Sequence, residues 1–332
     1  MALNNFDSFN QTRQSEDVQD VIYNISPIDN PVCAMSRTIR ATGKLHEWTE
    51  DVLRPATKNA AVDGADAGID QSDPVAELNN FAQIFTKVAR ISGTLEEVDK
   101  YGRDSEMAYQ LELRYGELAN DEELAIIGGP NGSPQGQTRV AGSSTVGREL
   151  ESFQQMMISG RNGSGTAGIT APLDIVSAAA NIDQLEEELL QQHERCYDLG
   201  GNPGYLVVPP KVARFIAGFA ASAGRERDYG TGRAVVNVVD LYVSPFGELD
   251  VIIDRHAQRS LQDGNTDTDN NIMAGIDFQY LATPVLRATR DFPLARTGDA
   301  DNREVLREST FAVLNTDAHF LIGGINDVVP AA

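Results

Sequence analysis

The chain has 332 residues, 41% of them hydrophobic and 23% charged, which is long enough to bury a sizeable core and typical of a globular protein. Its 49 acidic and 27 basic residues give a net charge of −22 at pH 7 without any basic stretch, which argues against a protein that coats nucleic acid. With two distant cysteines and four scattered histidines, we expect neither a disulfide framework nor a metal site. Because the sequence has no long apolar run, we expect neither a signal peptide nor a membrane span.

The first 43 residues are predicted to form an arm that contains one short helix. Residues 1–14 are polar, and Ser15 is a suitable cap for a helix that Pro27 ends. This helix carries apolar residues at helical spacing, namely Val18, Val21, Ile22 and Ile25. Because Pro27 and Pro31 disfavour regular structure, we interpret residues 26–43 as an extended connector.

Residues 44–93 predict a long projecting β-hairpin. A first strand at 44–53 has no cleanly apolar face, and the following 54–78 is rich in Ala, Gly and Asp. A returning strand is expected at 79–94, although its second half also fits a helix through Phe81, Ile84, Phe85, Val88 and Ile91. A structureless loop of this length is unusual in a compact domain unless it acts outside that domain.

The clearest helix is predicted at 98–127. Residues recur along one stripe of it at helical spacing: Tyr101, Ser105, Ala108, Leu111, Tyr115 and Leu118. At ~1.5 Å per residue this helix would be about 40 Å long, which is unusual for a globular domain. Two glycines and a proline at 128–130 predict its end, and 131–147 is expected to be a flexible loop.

The rest of the chain alternates helices with strands and then becomes rich in strands. Helices are predicted at 182–197 and 211–221. Strands are predicted at 205–208, 235–242, 249–254, 278–283, 285–289 and 311–315. This pattern predicts the α+β fold class, with a mixed α/β unit in the middle of the chain.

No motif predicts a catalytic residue, a cofactor or a metal. Gly163, Gly165 and Gly168 have the spacing of a dinucleotide-binding loop, but a proline follows where a helix should begin, so a flexible loop is the better interpretation. Asp267, Asp269 and Asn271 have the spacing of the first ligands of a calcium loop, but this sequence lacks the glycine and the glutamate that such a loop needs. A hydrolase that uses paired carboxylates stays an alternative, and a deep pocket with converging acids would indicate it.

Several strings resemble the major head proteins of tailed bacteriophages, in the same order along nearly the whole chain. They are EDVQDVIYNISPIDNPVCAM, HEWTEDVL, NNFAQIFTKVARISGT, KYGRDSEMAYQLELRYGEL, TVGRELESF and FPLARTGDADNREVLRESTFAVLNTDAHFLIGGI. The strings together make the resemblance specific, although no single string would suffice. It implies a major capsid protein with the fold first described for the Hong Kong 97 phage shell.

The resemblance also implies a division of the chain into four parts. The N-terminal arm would be 1–43 and the extended loop 44–93. The peripheral domain, with its long spine helix, would be 94–150 and 272–332, and the axial domain 151–271. The extended loop would then lie over a neighbouring subunit, which gives a reason why neither face of the predicted hairpin is apolar.

The implied function is assembly of copies of the chain. Hexamers and pentamers would close into an icosahedral head that encloses DNA without specific binding. Portal, scaffolding and decoration proteins would be its partners, in the virion and, during assembly, in the host cytoplasm. An encapsulin-like compartment that carries enzyme cargo shares the fold and stays an alternative. Genes for a terminase and a portal nearby would decide between the two.

Aromatic residues of the extended loop are the candidates for contacts between subunits. Trp48, Phe81 and Phe85 are chosen because desolvated aromatics supply much of an interface's energy, and packing within their own subunit is the alternative. Some members of the fold cross-link an extended-loop lysine to a neighbour's asparagine, and Lys58 lies in that region. A solvated side chain is the default interpretation of Lys58.

Overall fold

The structure is a computed structural model that describes residues 29–51, 53, 56–60, 63, 64, 66, 75–99, 104–128, 136–159, 173–175, 182–222, 241–257, 271–296 and 298–325. The predicted helix after Ser15, the glycine-rich loop at 163–168 and the acidic residues Asp267 and Asp269 lie outside these ranges. So does the first part of the strand predicted at 235–242.

Helices and strands alternate along the described chain. The helices are α1 (Pro31–Met35), α2 (Gly93–Glu97), α3 (Glu106–Ile127), α4 (Phe153–Ser159), α5 (Ile182–Asp198) and α6 (Pro210–Ser222). The strands are β1 (Arg37–Arg40), β2 (Leu45–Glu50), β3 (Ala76–Phe81), β4 (Gln83–Ser92), β5 (Leu173–Ile175), β6 (Tyr205–Val208), β7 (Leu241–Ser244), β8 (Gly247–Ile253), β9 (Asn271–Ile276), β10 (Leu281–Pro293), β11 (Ala300–Ser309), β12 (Ala312–Val313) and β13 (Phe320–Ile325).

The described strands form two larger sheets and one two-stranded hairpin. The first sheet has the order β1-β10-β11-β4, with β12 also pairing with β10. The second has the order β5-β13-β9-β6-β8-β7, and β2 pairs only with β3. Helices combined with sheets of parallel and antiparallel strands give the α+β fold class that the sequence predicted.

Strand β4 packs one face against helix α3. Phe85, Ala89 and Ile91 point inwards and are buried, whereas Ile84 and Val88 are 44% and 50% exposed on the opposite face. This alternation is that of a half-buried strand, so the alternative of a helix through these residues is wrong. Because β4 pairs along its whole length with β11, it belongs to the first sheet and not to the hairpin.

Helix α3, called the spine helix below, begins eight residues later than predicted. Ser105 has extended backbone angles, and its hydroxyl accepts a hydrogen bond from the amide of Ala108. The Glu96 carboxylate accepts hydrogen bonds from the amides of Glu106 and Met107, so capping groups satisfy the first turn. The helix ends before Gly128 as predicted, and its 22 residues span about 33 Å.

The second sheet is covered on one face by α5 and α6. Apolar residues of these helices pack on the sheet: Leu185, Leu189, Val212, Phe215 and Ile216. The other face joins a core cluster to which α1, the spine helix and α4 contribute Val32, Ile126, Ile127, Phe153 and Met157. This cluster also contains residues of β10 and β12, so one apolar core lies between the two sheets.

Two strands of the second sheet, β9 and β13, lie almost wholly beyond residue 271, where the axial domain was expected to end. Residues 272–332 were expected to accompany 94–150, but β9 lies between β13 and β6, and β13 lies between β5 and β9. All six residues of β9 are buried. The backbone groups along both edges of a buried strand need hydrogen-bond partners, and β6 and β13 provide them.

Candidate assembly surfaces

The hairpin is fixed to the body of its own subunit at its root. Strands β2 and β3 pair without a break from Leu45 opposite Phe81 to Glu50 opposite Ala76. Trp48 is half-buried against the central core, and its indole Nε1 donates a hydrogen bond to the carbonyl oxygen of Val313 at 2.8 Å. The tryptophan therefore anchors β2 within one chain.

Two buried polar side chains strengthen this anchor. Glu50 Oε1 accepts hydrogen bonds from the backbone amide and the hydroxyl of Thr316, at 2.8 and 3.1 Å. Asn80 Nδ2 donates to the carbonyl oxygens of Glu151 and Phe311, at 3.1 and 2.8 Å, and Asn80 Oδ1 accepts from the amide of Glu151 at 2.8 Å. Both strands of the hairpin are thus bonded to the segment 311–316, and β3 is also bonded to Glu151.

The residues that the structure describes beyond the hairpin root are exposed. Every described residue from 51 to 75 is exposed, and Leu53 and Val75 show 93% and 51% of their surfaces. A leucine that is almost fully accessible makes almost no contact within its own chain, and its burial against another molecule would be favourable by about 2 kcal/mol. The described part of this segment thus offers apolar and polar groups to another molecule.

The four residues singled out from the sequence have different surroundings. Trp48 and Phe81 are half-buried at the hairpin root. Phe85 is 6% exposed and packs with Leu118 and Val305 in the core of its own subunit, because β4 turns that side chain towards the spine helix. The expectation that Phe85 contacts a neighbouring subunit is therefore corrected. Lys58 is exposed in the segment beyond the root.

The described part of the arm is docked by a carboxylate and by strand pairing. Glu123 of the spine helix is buried, and its two oxygens accept hydrogen bonds from the backbone amides of Val32 and Cys33, at 2.7 and 2.8 Å. Strand β1 then runs parallel to β10, from Arg37 opposite Ala282 to Arg40 opposite Val285. Neither contact was predicted from the sequence. Glu123 follows Glu122 in a helix rich in charged residues, and β1 lies within the segment interpreted as an extended connector.

A buried glutamate of the first sheet, Glu308, pairs with two arginines, one on β10 and one in the loop at 136–152. Glu308 accepts hydrogen bonds from Arg148 and from Arg287 Nε, the latter at 2.6 Å, and its side chain is almost inaccessible. On the opposite side of the sheet, Arg307 Nε donates to Glu122 of the spine helix at 2.9 Å. These pairs hold the loop at 136–152 and the spine helix on the sheet, because a buried charge without its partner is strongly unfavourable.

Two of the histidines, His193 and His319, are buried. His319 is completely buried, which lowers its pKa to about 3, and His193 Nδ1 is hydrogen-bonded to the Ser244 hydroxyl at 2.9 Å. No group of three His, Cys, Asp or Glu side chains that could hold a metal ion is found among the described residues.

Within the same residues, no helix is long and apolar enough to cross a membrane.

Comparison with known proteins decides the family. The sequence model of the SU10 major capsid protein family matches residues 3–326. The chain belongs to this family. It is a major capsid protein, and the capsid protein of a phage virion. The major capsid protein of Escherichia phage Phieco32 is 22% identical to it over 273 residues, which cover 73% of this chain and 78% of the relative.

Solved structures show that the capsid protein has the Hong Kong 97-type fold. A chain from Mycobacterium phage Ogopogo matches with a TM-score of 0.59 at 14% identity, covering 98% of both chains. The capsid of a native GTA particle matches with a TM-score of 0.60 at 12% identity, covering 98% of this chain and 100% of the other. The holo-SrpI encapsulin complex from Synechococcus elongatus PCC 7942 matches with a TM-score of 0.54 at 10% identity, covering 100% and 99%.

Proposed function

We propose that copies of this capsid protein form hexamers and pentamers that close into an icosahedral head around phage DNA. The observation that supports this assembly most strongly is the hairpin, whose root is bonded to its own subunit while its described outer residues are exposed. An ordered root and an uncovered outer segment suit a contact between copies. Many modest contacts of this kind add up in a closed shell.

We propose a division of labour along the chain that modifies the boundaries expected from the resemblance. Residues 1–43 serve as the arm. The extended loop is 44–81, since β4 pairs along its full length with β11. The first sheet and the spine helix form the peripheral domain. The second sheet, including β9 and β13, forms the axial domain.

Contacts between subunits are assigned to the exposed part of the hairpin. Leu53 and Val75 are the apolar groups of that segment, and the uncovered edges of Trp48 and Phe81 lie at its root. Lys58 is exposed there and remains the candidate for a covalent cross-link, with a solvated side chain as the default. A ladder of bands from purified shells in denaturing electrophoresis, lost in Lys58→Arg, would indicate the cross-link.

The acidic composition supports a shell that confines DNA without binding it. With a net charge of −22, the subunit has too few clustered cations to neutralise phosphates. Retention of labelled duplex DNA on the purified subunit at low salt is expected to be negligible. Portal, scaffolding and decoration proteins complete the proposed partners, and assembly takes place in the host cytoplasm.

The test of assembly compares the full chain with a variant whose hairpin is shortened. Residues 54–74 are replaced by a short Gly-Ser turn, and both proteins are examined by size-exclusion chromatography and negative-stain microscopy. The full chain is expected to give rings, sheets or shells, and the shortened chain a folded subunit that does not close shells. A full chain that remains a strictly monodisperse monomer under crowded, low-salt conditions would contradict the proposal.

An encapsulin-like compartment is an alternative on fold alone, because the SrpI encapsulin complex matches over the whole chain at 10% identity, whereas the family match is to phage capsid proteins. The two candidates differ in contents, since a phage head is filled with DNA through a portal and an encapsulin carries protein cargo. Terminase and portal genes beside the gene of this chain, and DNA in particles from infected cells, are expected for the head. Particles filled with a co-encoded enzyme would favour the compartment.

A hydrolase receives no support from the groove between β1 and β10. The groove has a volume of about 410 Å³ and is open to solvent. Its lining consists of apolar, threonine and arginine side chains: Thr38, Ile39, Arg40, Val285, Ala288, Thr289 and Arg307. Carboxylates, which acid and base catalysis would require, are not part of this lining.

A further inference from the structure

Both strands of the hairpin are bonded to one short segment of the body, residues 311–316, which is called the joint segment below and contains strand β12. From β2, the Trp48 indole nitrogen donates to the carbonyl oxygen of Val313 at 2.8 Å. Glu50, also on β2, accepts hydrogen bonds from the amide and the hydroxyl of Thr316, at 2.8 and 3.1 Å. The first strand of the hairpin is thus held at two points along the joint segment.

Asn80 fixes the second strand, β3, to the same segment. Its Nδ2 donates to the carbonyl oxygens of Phe311 and Glu151, at 2.8 and 3.1 Å, and its Oδ1 accepts from the amides of Phe81 and Glu151, both at 2.8 Å. An asparagine side chain has two donor hydrogens and two acceptor positions, and all four are used here. Because the side chain is buried, a group that lost its partner would have no water to replace it. Asn80 therefore holds β3 in one position against the joint segment.

The joint segment is itself fixed between the two sheets. Strand β12 pairs with β10 of the first sheet, with Val313 opposite Leu281. Just beyond the joint segment, the carbonyl oxygen of Asp317 accepts a hydrogen bond from the Cys196 thiol of helix α5 at 3.2 Å, and the chain then enters β13 of the second sheet. A hairpin bonded to such a segment takes its direction from the body of its own subunit.

We propose that the joint segment holds the hairpin in one direction before any neighbour is present, and that Trp48, Glu50 and Asn80 are positioning residues for assembly. This inference rests on the proposed function, in which the exposed residues beyond the root contact another copy of the chain. A hairpin that is already held in place loses less conformational freedom when it meets its neighbour. The hydrogen bonds at the root therefore favour the contact between copies from within each subunit.

Hydrogen–deuterium exchange of the full chain, diluted until it is monomeric, tests the joint. The readout is the amide of Thr316, which is bonded to β2, while the substitution is made on β3. Asn80→Asp keeps the size of the side chain but replaces its Nδ2 donor by an oxygen that faces two carbonyl oxygens. Because both buried carbonyl groups lose their donor and the root opens as one unit, we expect the protection of the Thr316 amide to fall by about a hundredfold.

Two further variants calibrate this exchange. Trp48→Phe loses only the indole donor and is expected to lower the protection by about threefold. Because this change is mild, it decides the test where Asn80→Asp does not fold. Asn79→Asp makes the same change one residue earlier, where the side chain faces the exposed Arg139, and is expected to exchange as the wild type does. A Thr316 amide that is unprotected in the wild type, or that keeps its full protection in both Asn80→Asp and Trp48→Phe, would overturn the joint.

Light scattering of the concentrated chain tests the positioning role, and circular dichroism gives the folded fraction of each variant. A root that is mostly open has to be ordered again on assembly, so Asn80→Asp is expected to need about tenfold more folded subunit before particles form. Asn79→Asp is expected to assemble as the wild type does. So is Ser105→Ala, which removes a cap of the spine helix and weakens the subunit outside the hairpin.

The two measurements separate this inference from the proposed function. An Asn80→Asp variant whose root is open but whose folded subunits assemble as readily as the wild type would overturn the positioning role. So would a Ser105→Ala variant that is impaired to the same extent, since stability alone would then explain both. A wild type that never assembles would contradict the proposed function, while exchange at Thr316 would still decide whether the hairpin is held.

Discussion

Buried polar side chains connect segments of this capsid protein that are far apart in sequence. Asn80 joins the hairpin to residues 151 and 311, and Glu123 joins the spine helix to the arm. Neither was predicted, because an asparagine at the start of the returning hairpin strand and a glutamate in a charged helix both have the pattern of solvated residues. What fixes them is the set of backbone groups that they satisfy, and sequence does not show it.

Asn80→Ala is expected to lower the free energy of unfolding by about 3 kcal/mol. The substitution leaves the buried amide of Glu151 and the carbonyl of Phe311 without their partners, and each unpaired buried group is unfavourable by about 1–3 kcal/mol. Urea denaturation monitored by tryptophan fluorescence measures the change. The neighbouring Asn79→Ala, whose side chain accepts from the exposed Arg139, serves as a control with an expected cost below about 1 kcal/mol. Equal losses in the two variants would contradict this account of Asn80.

Gly275→Ala is expected to destabilise the second sheet. Gly275 lies opposite Phe320, and a Cβ atom at this position would be 2.1 Å from the phenyl ring. The ring is buried in the core, so relief requires a shift of β13, with a cost of about 1–3 kcal/mol. Differential scanning calorimetry compares it with Gly323→Ala on β13, where no atom lies within 4 Å of the added carbon. A melting temperature lowered as much by Gly323→Ala would contradict the steric explanation.

At the scale of elements, hydrophobic periodicity located helices and strands better than it located their ends and partners. Helix α5 was predicted at 182–197 and runs from Ile182 to Asp198, and β6 was predicted with its observed bounds. The spine helix was predicted to begin at 98, because its apolar stripe extends upstream of the real cap. The pairing of β9 and β13 with β6 is a contact between distant segments, which local pattern does not encode.

The capped start of the spine helix has a measurable consequence. Ser105→Ala removes the hydroxyl that accepts from the Ala108 amide and donates to the Glu96 carboxylate. We expect a loss of about 1 kcal/mol in the free energy of unfolding, the usual cost of an N-cap substitution. Chemical denaturation measures it, and Ser143→Ala in the exposed loop at 136–152 is the control. A Ser105→Ala variant as stable as the wild type would show that the cap does not determine where the helix begins.

At the scale of the whole molecule, one apolar core contains residues of both sheets, the spine helix and the described arm. The described elements therefore pack together, and the described hairpin residues beyond the root are exposed. The resemblance of the sequence to phage head proteins predicted the family and the fold, and the comparisons confirm both. The hairpin departs from the expectation in one respect, since its root makes specific contacts within its own chain. Contact with a neighbouring copy of the chain is therefore proposed only for the segment beyond that root.

A reconstruction of the assembled particle by electron cryo-microscopy tests that claim most directly. The map would be traced from residue 51 to residue 75 in each subunit, and the accessible surface of Leu53, now 93% exposed, would be measured in the particle. The account predicts that this segment lies against another copy of the chain and that Leu53 becomes buried there. A segment that folds back onto its own subunit, with Leu53 uncovered by any neighbour, would contradict it.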